Sequence, residues 1–465
     1  MRDYIYFLIG TFLVFVSFFS CLLFDIPIFL ETWVALGFII FSIITKEFVR
    51  LFYFNKGNLT LLIFLTFYLI LVIAEPLYSI ISSGDISYEH KFGYYNNDSF
   101  IIVGISHSLF LLSILIFNLK LSNEKNSLTV IPPPKVSSKL FFFFFFLFIL
   151  GLIPYLKDGL QGFLNLILSS RANGNSQFEN TGIGNSNLLI HLSTILISVG
   201  TLSAFYLIHS LKGRIHKYIL WTIFAISLLI IGSSGTRTRV ILLLVPLISY
   251  ILFLKKNLII DISNRKILFF CIAGIVLLSL MVEFRNVGFD TLTTSEISQP
   301  KFDGLDLNNE FVYIVDNFQD PVNGRSLFET ILLPIPEQVF KFITNPIPRI
   351  IYPDKYLDPS FAVFNMKRIG YTGLDETFNI TPTIFGRFYL LYGFVGIIYL
   401  SLVTGWILRV LENKINKSEN AYSLILHFSF LAFLCQSLRD LSPGWIYSFV
   451  FLYLIIYLIK KARVA

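Results

Sequence analysis

The sequence predicts an all-α polytopic membrane protein: about 12 transmembrane helices with one large extracytoplasmic loop that contains short interfacial helices. Three observations carry that expectation. Of 465 residues, 55% are apolar and only 14% are charged, against roughly 25% charged in an ordinary soluble domain. The mean hydropathy of +0.73 extends over the whole length, and a globular protein with one solvated surface needs more charge than this to cover its outside. The apolar residues also fall into runs of about 17 to 25, the length that crosses a hydrocarbon layer as helix.

In chain order those runs cover residues 4–24, 26–45, 59–81, 99–119, 140–156, 187–210, 218–233, 240–254, 267–283, 378–408, 421–438 and 445–459. The first is a full span followed by Phe24-Asp25-Ile26-Pro27 rather than by small residues, so it is expected to stay in the membrane rather than be cleaved. The phenylalanine tract 141–146 reads as the lipid-facing part of a span. The run 378–408 is long enough to hold an interfacial turn before its helix. With the amino terminus inside, alternate connections contain 21 of the 36 basic residues. The positive-inside rule therefore selects an orientation with both termini cytoplasmic. The net charge of +7 is mostly this topology signal and does not describe a nucleic-acid surface.

One connection is out of scale. Residues 285–377 lie on the extracytoplasmic side and carry 8 basic and 13 acidic residues, dividing the chain into spans 1–284, the loop 285–377 and spans 378–465. Within the loop, Phe311-Val312-Tyr313-Ile314-Val315 and residues 327–342 are strongly apolar and read as short helices lying on or dipping into the outer membrane face. No internal repeat is visible, which speaks against transporters built from two similar halves.

The chemistry-bearing residues are mostly arginines. The motif GSSGTRTR, residues 232–239, sets Arg237 and Arg239 at the outer end of the seventh span, where topology does not ask for positive charge. They admit two readings: arginines snorkelling to lipid headgroups, or guanidinium forks of a diphosphate site with free backbone N–H groups beside them. Arg285 after Glu283, Arg349 in NPIPRIIYPDKY, Arg387 in TPTIFGRFYLLYG and Arg439 before Asp440 arrive at the same level. Each alone could be a paired helix end or an interface anchor, but their joint gathering on a net acidic face favours anion binding. The six histidines, among them His107, stand isolated. No metal-ligand spacing, P-loop, dinucleotide fingerprint or nucleophile elbow is present. Cys21, Cys271 and Cys435 all fall in apolar runs, which leaves no disulfide framework. Energy must then come from an activated substrate or an ion gradient. The acidic candidates on the outer face are Glu310, Asp316, Asp320, Asp354, Asp375 and Glu376.

These motifs, taken in order, resemble the O-antigen polymerases of the Wzy type, the oligosaccharide repeat unit polymerases. The resemblance rests on Ser233-Ser234-Gly235-Thr236-Arg237 and Glu283-Phe284-Arg285. In and after the large loop it adds Ile347-Pro348-Arg349, Tyr352-Pro353-Asp354-Lys355, Thr381-Pro382-Thr383 with Gly386 and Gly393, and Arg439-Asp440. It covers the second half of the chain. Two positions depart from the pattern: Tyr356 stands where proline is common, and Arg387 where an acidic residue is common. The resemblance implies a GT-C-like glycosyltransferase in the bacterial cytoplasmic membrane, polymerising undecaprenyl-diphosphate-linked oligosaccharides at its outer, periplasmic face. It implies inversion at the anomeric carbon without metal or cofactor, and a chain-length regulator as partner beside membrane lipids. It further implies Arg237, Arg239, Arg285 and Arg439 on the diphosphate, Arg349, Lys355, Tyr352 and Arg387 on the rest of the substrate, and Glu376 or Asp375 as the carboxylate that orients or deprotonates the acceptor. Two other readings share features of the sequence. An O-antigen ligase uses the same donor but typically brings a loop histidine, which residues 285–377 lack. A lipid-linked oligosaccharide flippase shares the topology but would line a path through the bundle with charge.

Overall fold

The computed structural model describes residues 29–54, 57–74, 97–118, 138–156, 184–207, 214–233, 237–256, 307–317, 383–418 and 421–439, together with 159, 161, 449–455 and 457–458. Every regular element among them is helical. The helices are α1 (Phe29–Phe54), α2 (Leu59–Tyr68, continued by a π turn, Leu69–Ile73), α3 (Asn97–Asn118), α4 (Ser138–Leu152), α5 (Gly184–Leu207), α6 (Arg214–Ser233), α7 (Arg237–Lys256), α8 (Leu307–Asn317), α9 (Ile384–Asn416) and α10 (Ala421–Ser437). They fall on the apolar runs of the sequence, while the expected spans 4–24 and 267–283 lie outside the described residues. Ile101–Asn118 and Ile384–Asn416 are long and apolar enough to cross a membrane, and six shorter apolar helices accompany them.

The outer surface fits that character. In the phenylalanine tract, Phe141 and Phe144 are buried while Phe142, Phe143 and Phe146 are about half exposed, so one helix face packs inward and the other is apolar outside. Such an apolar exterior is costly in water and at home in lipid. Small residues set the closest approaches. A Cβ at Gly200 would stand 2.8 Å from Phe144 O, and one at Gly151 would stand 2.9 Å from Ser193 O. These pairs make α4 and α5 an antiparallel hairpin with nearly touching backbones, the packing that serves helices lacking a hydrophobic drive between them.

Five helix ends are knitted together by polar groups. Lys256 and Glu412, both buried, form an ion pair at 3.4 Å. The Lys256 ammonium also donates to Gly57 O (2.8 Å) and Asn416 Oδ1 (3.1 Å), which uses all three of its N–H groups. The second Glu412 oxygen accepts from the Thr60 N–H at 2.9 Å. Asn58 caps α2 through Leu61 N–H and reaches Asn118 on α3, and its own N–H donates to the buried Glu47 at 2.7 Å. This explains why α1 outruns its expected end at residue 45. Glu47 faces inward to hold the start of α2, and Arg50 pairs with it at 3.4 Å, so these charges do not end the helix. Because Asn118, Glu412 and Asn416 share this end, α3 and the long part of α9 run parallel.

α9 is not one rod. Gly393 has φ 60° and ψ −153°, a conformation open to glycine and closed to side-chain-bearing residues. Beyond it the chain doubles back: Gly396 lies against Phe388 O and Tyr392 Cβ, and the Phe388 and Tyr399 rings stack at 6.3 Å. Residues 384–392 therefore form a short limb folded against the span 394–416, a helical reversal where the sequence suggested only a turn.

Candidate functional site

Two places could carry chemistry, and they are built differently. The first is the end of the bundle opposite Lys256. α7 and α10 are antiparallel neighbours: the carboxyl end of α7 and the amino end of α10 flank the same polar cluster, and Phe253 packs on Phe428 with ring centroids 5.9 Å apart. Counting from that contact at 1.5 Å per residue, Arg239 lies about 21 Å along α7 and Arg439 about 16 Å along the line of α10. The amino end of α7, with Arg237 as its first residue, and the carboxyl end of α10 are thus brought to one level. No acidic residue occupies the first turn of α7. A helix amino terminus already carries partial positive charge and open N–H groups, so cations there are unfavourable unless an anion joins them. Arg439, half buried, stands two residues beyond the end of α10, and its N–H donates to Gln436 O at 3.1 Å.

The second place lies deeper, where part of the large loop enters the bundle. α8 spans the expected apolar segment 311–315, but it does not lie on a surface. Phe311, Val312, Tyr313, Ile314 and Val315 are all buried, so the helix is inserted among its neighbours. It runs from Asn308, which donates to Val72 O in the π turn of α2, to Asp316, which accepts from Ser99 Oγ at 3.0 Å. Ser99 stands near the start of α3 and Asn308 beside His107, so α8 covers about 12 Å of depth, eight residues of rise. The limb of α9 enters alongside it. Thr383 caps the limb through Gly386 N–H at 3.0 Å, and Gly386 leaves room for Ile314 of α8.

Below this pair sits His107, fully buried. Its Nδ1 meets the Tyr68 hydroxyl at 2.7 Å. Trp33 (5.2 Å), Phe311 (6.1 Å) and Phe385 (4.6 Å) ring the imidazole. The Asn308 side chain lies beside the ring, and Nε2 has no hydrogen-bond partner. A π turn, a buried imidazole and an inserted helix converge here, and π turns concentrate at functional places in helices.

The structure accordingly brings Arg237, Arg239 and Arg439 to one end. It sets Arg387 on the inserted limb of α9, half buried, rather than at the entry of the span. Asp316, one of the weaker acid candidates, is engaged with Ser99. Arg285, Arg349, Tyr352, Lys355, Asp375 and Glu376 lie outside the described residues. Sequence reasoning missed four residues. Lys256 was legible only as a topology charge and Glu412 only as one acidic residue on the cytoplasmic side. His107 was legible only as an isolated histidine, since Tyr68 lies 39 positions away. Gln436 drew no attention, although the Arg439-Asp440 pair three residues on marks its helix end.

Comparison with known proteins adds a family. Residues 366–436 match the family model described as "Putative O-antigen polymerase", which supports the family that the motifs resemble. The matched segment takes in Asp375 and Glu376, the inserted limb and span of α9, Glu412, and α10 as far as Gln436. Neither a curated protein nor a solved structure matches the chain.

Proposed function

We propose that the chain is a polysaccharide polymerase of the membrane, a glycosyltransferase of the Wzy type that joins oligosaccharide repeat units carried on undecaprenyl diphosphate. The observation that carries this reading is the family match at residues 366–436, in a chain whose neighbouring helices α7 and α10 carry arginines toward the same end of the bundle. The arginines of GSSGTRTR open α7 and Arg439 closes α10, both at the end away from the Lys256 cluster.

In the proposed reaction a hydroxyl of the incoming unit attacks the anomeric carbon of the growing chain from the face opposite its diphosphate. The carbon–oxygen bond to the diphosphate breaks and its electron pair goes to the leaving group. The hydroxyl proton passes to a carboxylate, for which Glu376 or Asp375 is the candidate, and the anomeric centre inverts. Negative charge grows on the diphosphate as the bond breaks. Fixed guanidinium groups and the amino end of α7 stabilise that charge more in the transition state than in the ground state, and only such a difference accelerates the step. The chemistry needs no nucleotide, because the donor is already activated. In this reading Arg285 joins Arg237, Arg239 and Arg439 on the diphosphate, while Arg349, Tyr352, Lys355 and Arg387 hold the sugar portion. The site faces the periplasm, both termini are cytoplasmic, and a chain-length regulator acts with the enzyme.

The deciding experiment is reconstitution: purified protein in vesicles with lipid-diphosphate-linked repeat units should give a ladder of extended chains. Transfer to lipid A core without extension would instead identify a ligase, and net movement of the lipid between leaflets a flippase. In cells lacking the chromosomal copy, Arg237→Ala and Arg439→Ala should abolish long-chain polysaccharide at unchanged protein level. Arg→Lys at either position should still impair it, because a bidentate fork is lost although the charge remains.

A further inference from the structure

Gln436 stands in the last turn of α10 and is 1% exposed. Neither its Oε1 nor its Nε2 makes a hydrogen bond. Its neighbours do not share this condition: Ser437 satisfies its hydroxyl by donating to Leu434 O at 2.7 Å, and Cys435 is simply buried. An amide buried with both ends unpaired lowers stability, and a methionine or leucine of similar volume would not carry that cost. The residue is thus placed at the expense of the fold, one turn inward of Arg439, at the helix end where the arginines gather.

The two unpaired atoms narrow what could satisfy them. A phosphate oxygen is an acceptor alone; it would pair with the Nε2 hydrogens and leave Oε1 unpaired. A hydroxyl both donates and accepts, and neighbouring ring hydroxyls of a sugar can engage both edges of one amide. We propose that Gln436 is a sugar-recognising residue, binding hydroxyls of the saccharide that the lipid diphosphate carries. This rests on the polymerase reading for the identity of the ligand and adds to it a residue that discriminates the sugar from the bare lipid.

The test compares the full-length wild-type protein with Gln436→Met, both in lipid nanodiscs. The two probes are the undecaprenyl-diphosphate-linked repeat unit that accumulates in cells lacking this protein, and undecaprenyl diphosphate without sugar. Binding is read by quenching of tryptophan fluorescence and stability by thermal unfolding. Gln436→Met should bind the sugar-bearing lipid about tenfold or more weakly, the equivalent of one or two lost hydrogen bonds. It should hold the bare lipid diphosphate as wild type does and melt at the same temperature or higher. Equal weakening toward both lipids would overturn the proposal in favour of a phosphate contact. Unchanged binding of both would overturn it in favour of an internal amide served by water, and a lower melting temperature with equal loss would make the residue structural. The polymerase reading fails separately: if wild type shows the sugar-dependent difference but extends no chain in vesicles, that reading falls and the sugar contact stands. A wild-type protein that binds neither lipid overturns both.

Discussion

At the scale of single residues, Gly386 governs how α8 is seated. A Cβ at this position would run into Ile314 Cδ1 of α8, and neither helix can yield easily because both are buried. Gly386→Ala should therefore lower stability by about 1 to 3 kcal/mol, the usual cost of overpacking. Ile314→Val in the same chain should recover part of it by removing the clashing methyl group. Thermal unfolding of the two single variants and the double would show the recovery, and additive losses would mean that the two side chains do not meet. Gly386 was visible in the sequence as part of a motif, but only the fold shows that its purpose is space for another helix. His107 and Gln436 were less legible still. A lone histidine or glutamine in an apolar run looks the same whether its polar atoms are paired or not, because that depends on groups brought in from distant helices. Tyr68 supplies the answer for His107 Nδ1, and no described group supplies it for Gln436.

At the scale of elements, the existence of most helices was readable from hydropathy, since the length of each apolar run is itself the physical signal. Their ends were not. α1 continues to Phe54 because Glu47 turns inward to the start of α2, a tertiary use of a charge that a hydropathy window can only count as a stop. α9 breaks and doubles back at Gly393, where sequence patterning suggested only an interfacial turn before the helix. The same contrast applies to Lys256 and Glu412, 156 positions apart: each is an ordinary charged residue near a span end until the fold pairs them. Removing one partner leaves the other charge buried and uncompensated, which costs about 3 to 5 kcal/mol. Lys256→Met and Glu412→Leu should each destabilise the protein on that scale, while the double variant should lose clearly less than the sum, the remainder being the Thr60 N–H and Asn416 amide left without Glu412. Melting temperatures of the three variants in detergent would measure this. Full additivity would mean that the pair is not formed.

At the scale of the whole molecule, the proposed function requires one orientation, with the Lys256 cluster on the cytoplasmic side. The Lys256 cluster ties together the ends of α1, α2, α3, α7 and α9, and Lys46 and Arg50 on α1, Lys414 on α9 and Lys417 just after it stand toward that end, the kind of basic excess that the positive-inside rule would put on the cytoplasmic side. The opposite end receives α8 and the limb of α9, both supplied by or next to the long acidic loop, and in that orientation the arginines of α7 and Arg439, two residues past α10, stand there against the charge rule. In the proposed orientation a lipid-linked sugar diphosphate presented at the outer face meets the end that carries those arginines, away from the Lys256 cluster. Orientation is therefore the premise on which the proposed site stands, and it can be tested without knowing the substrate. A fluorescent protein fused after Ala465 should glow, because such fusions fold in the cytoplasm, and alkaline phosphatase fused after Asp320 should be active, because it matures only outside. A dark carboxyl-terminal fusion combined with an inactive phosphatase at residue 320 would invert the chain and remove the proposed site from the face where its substrate is presented.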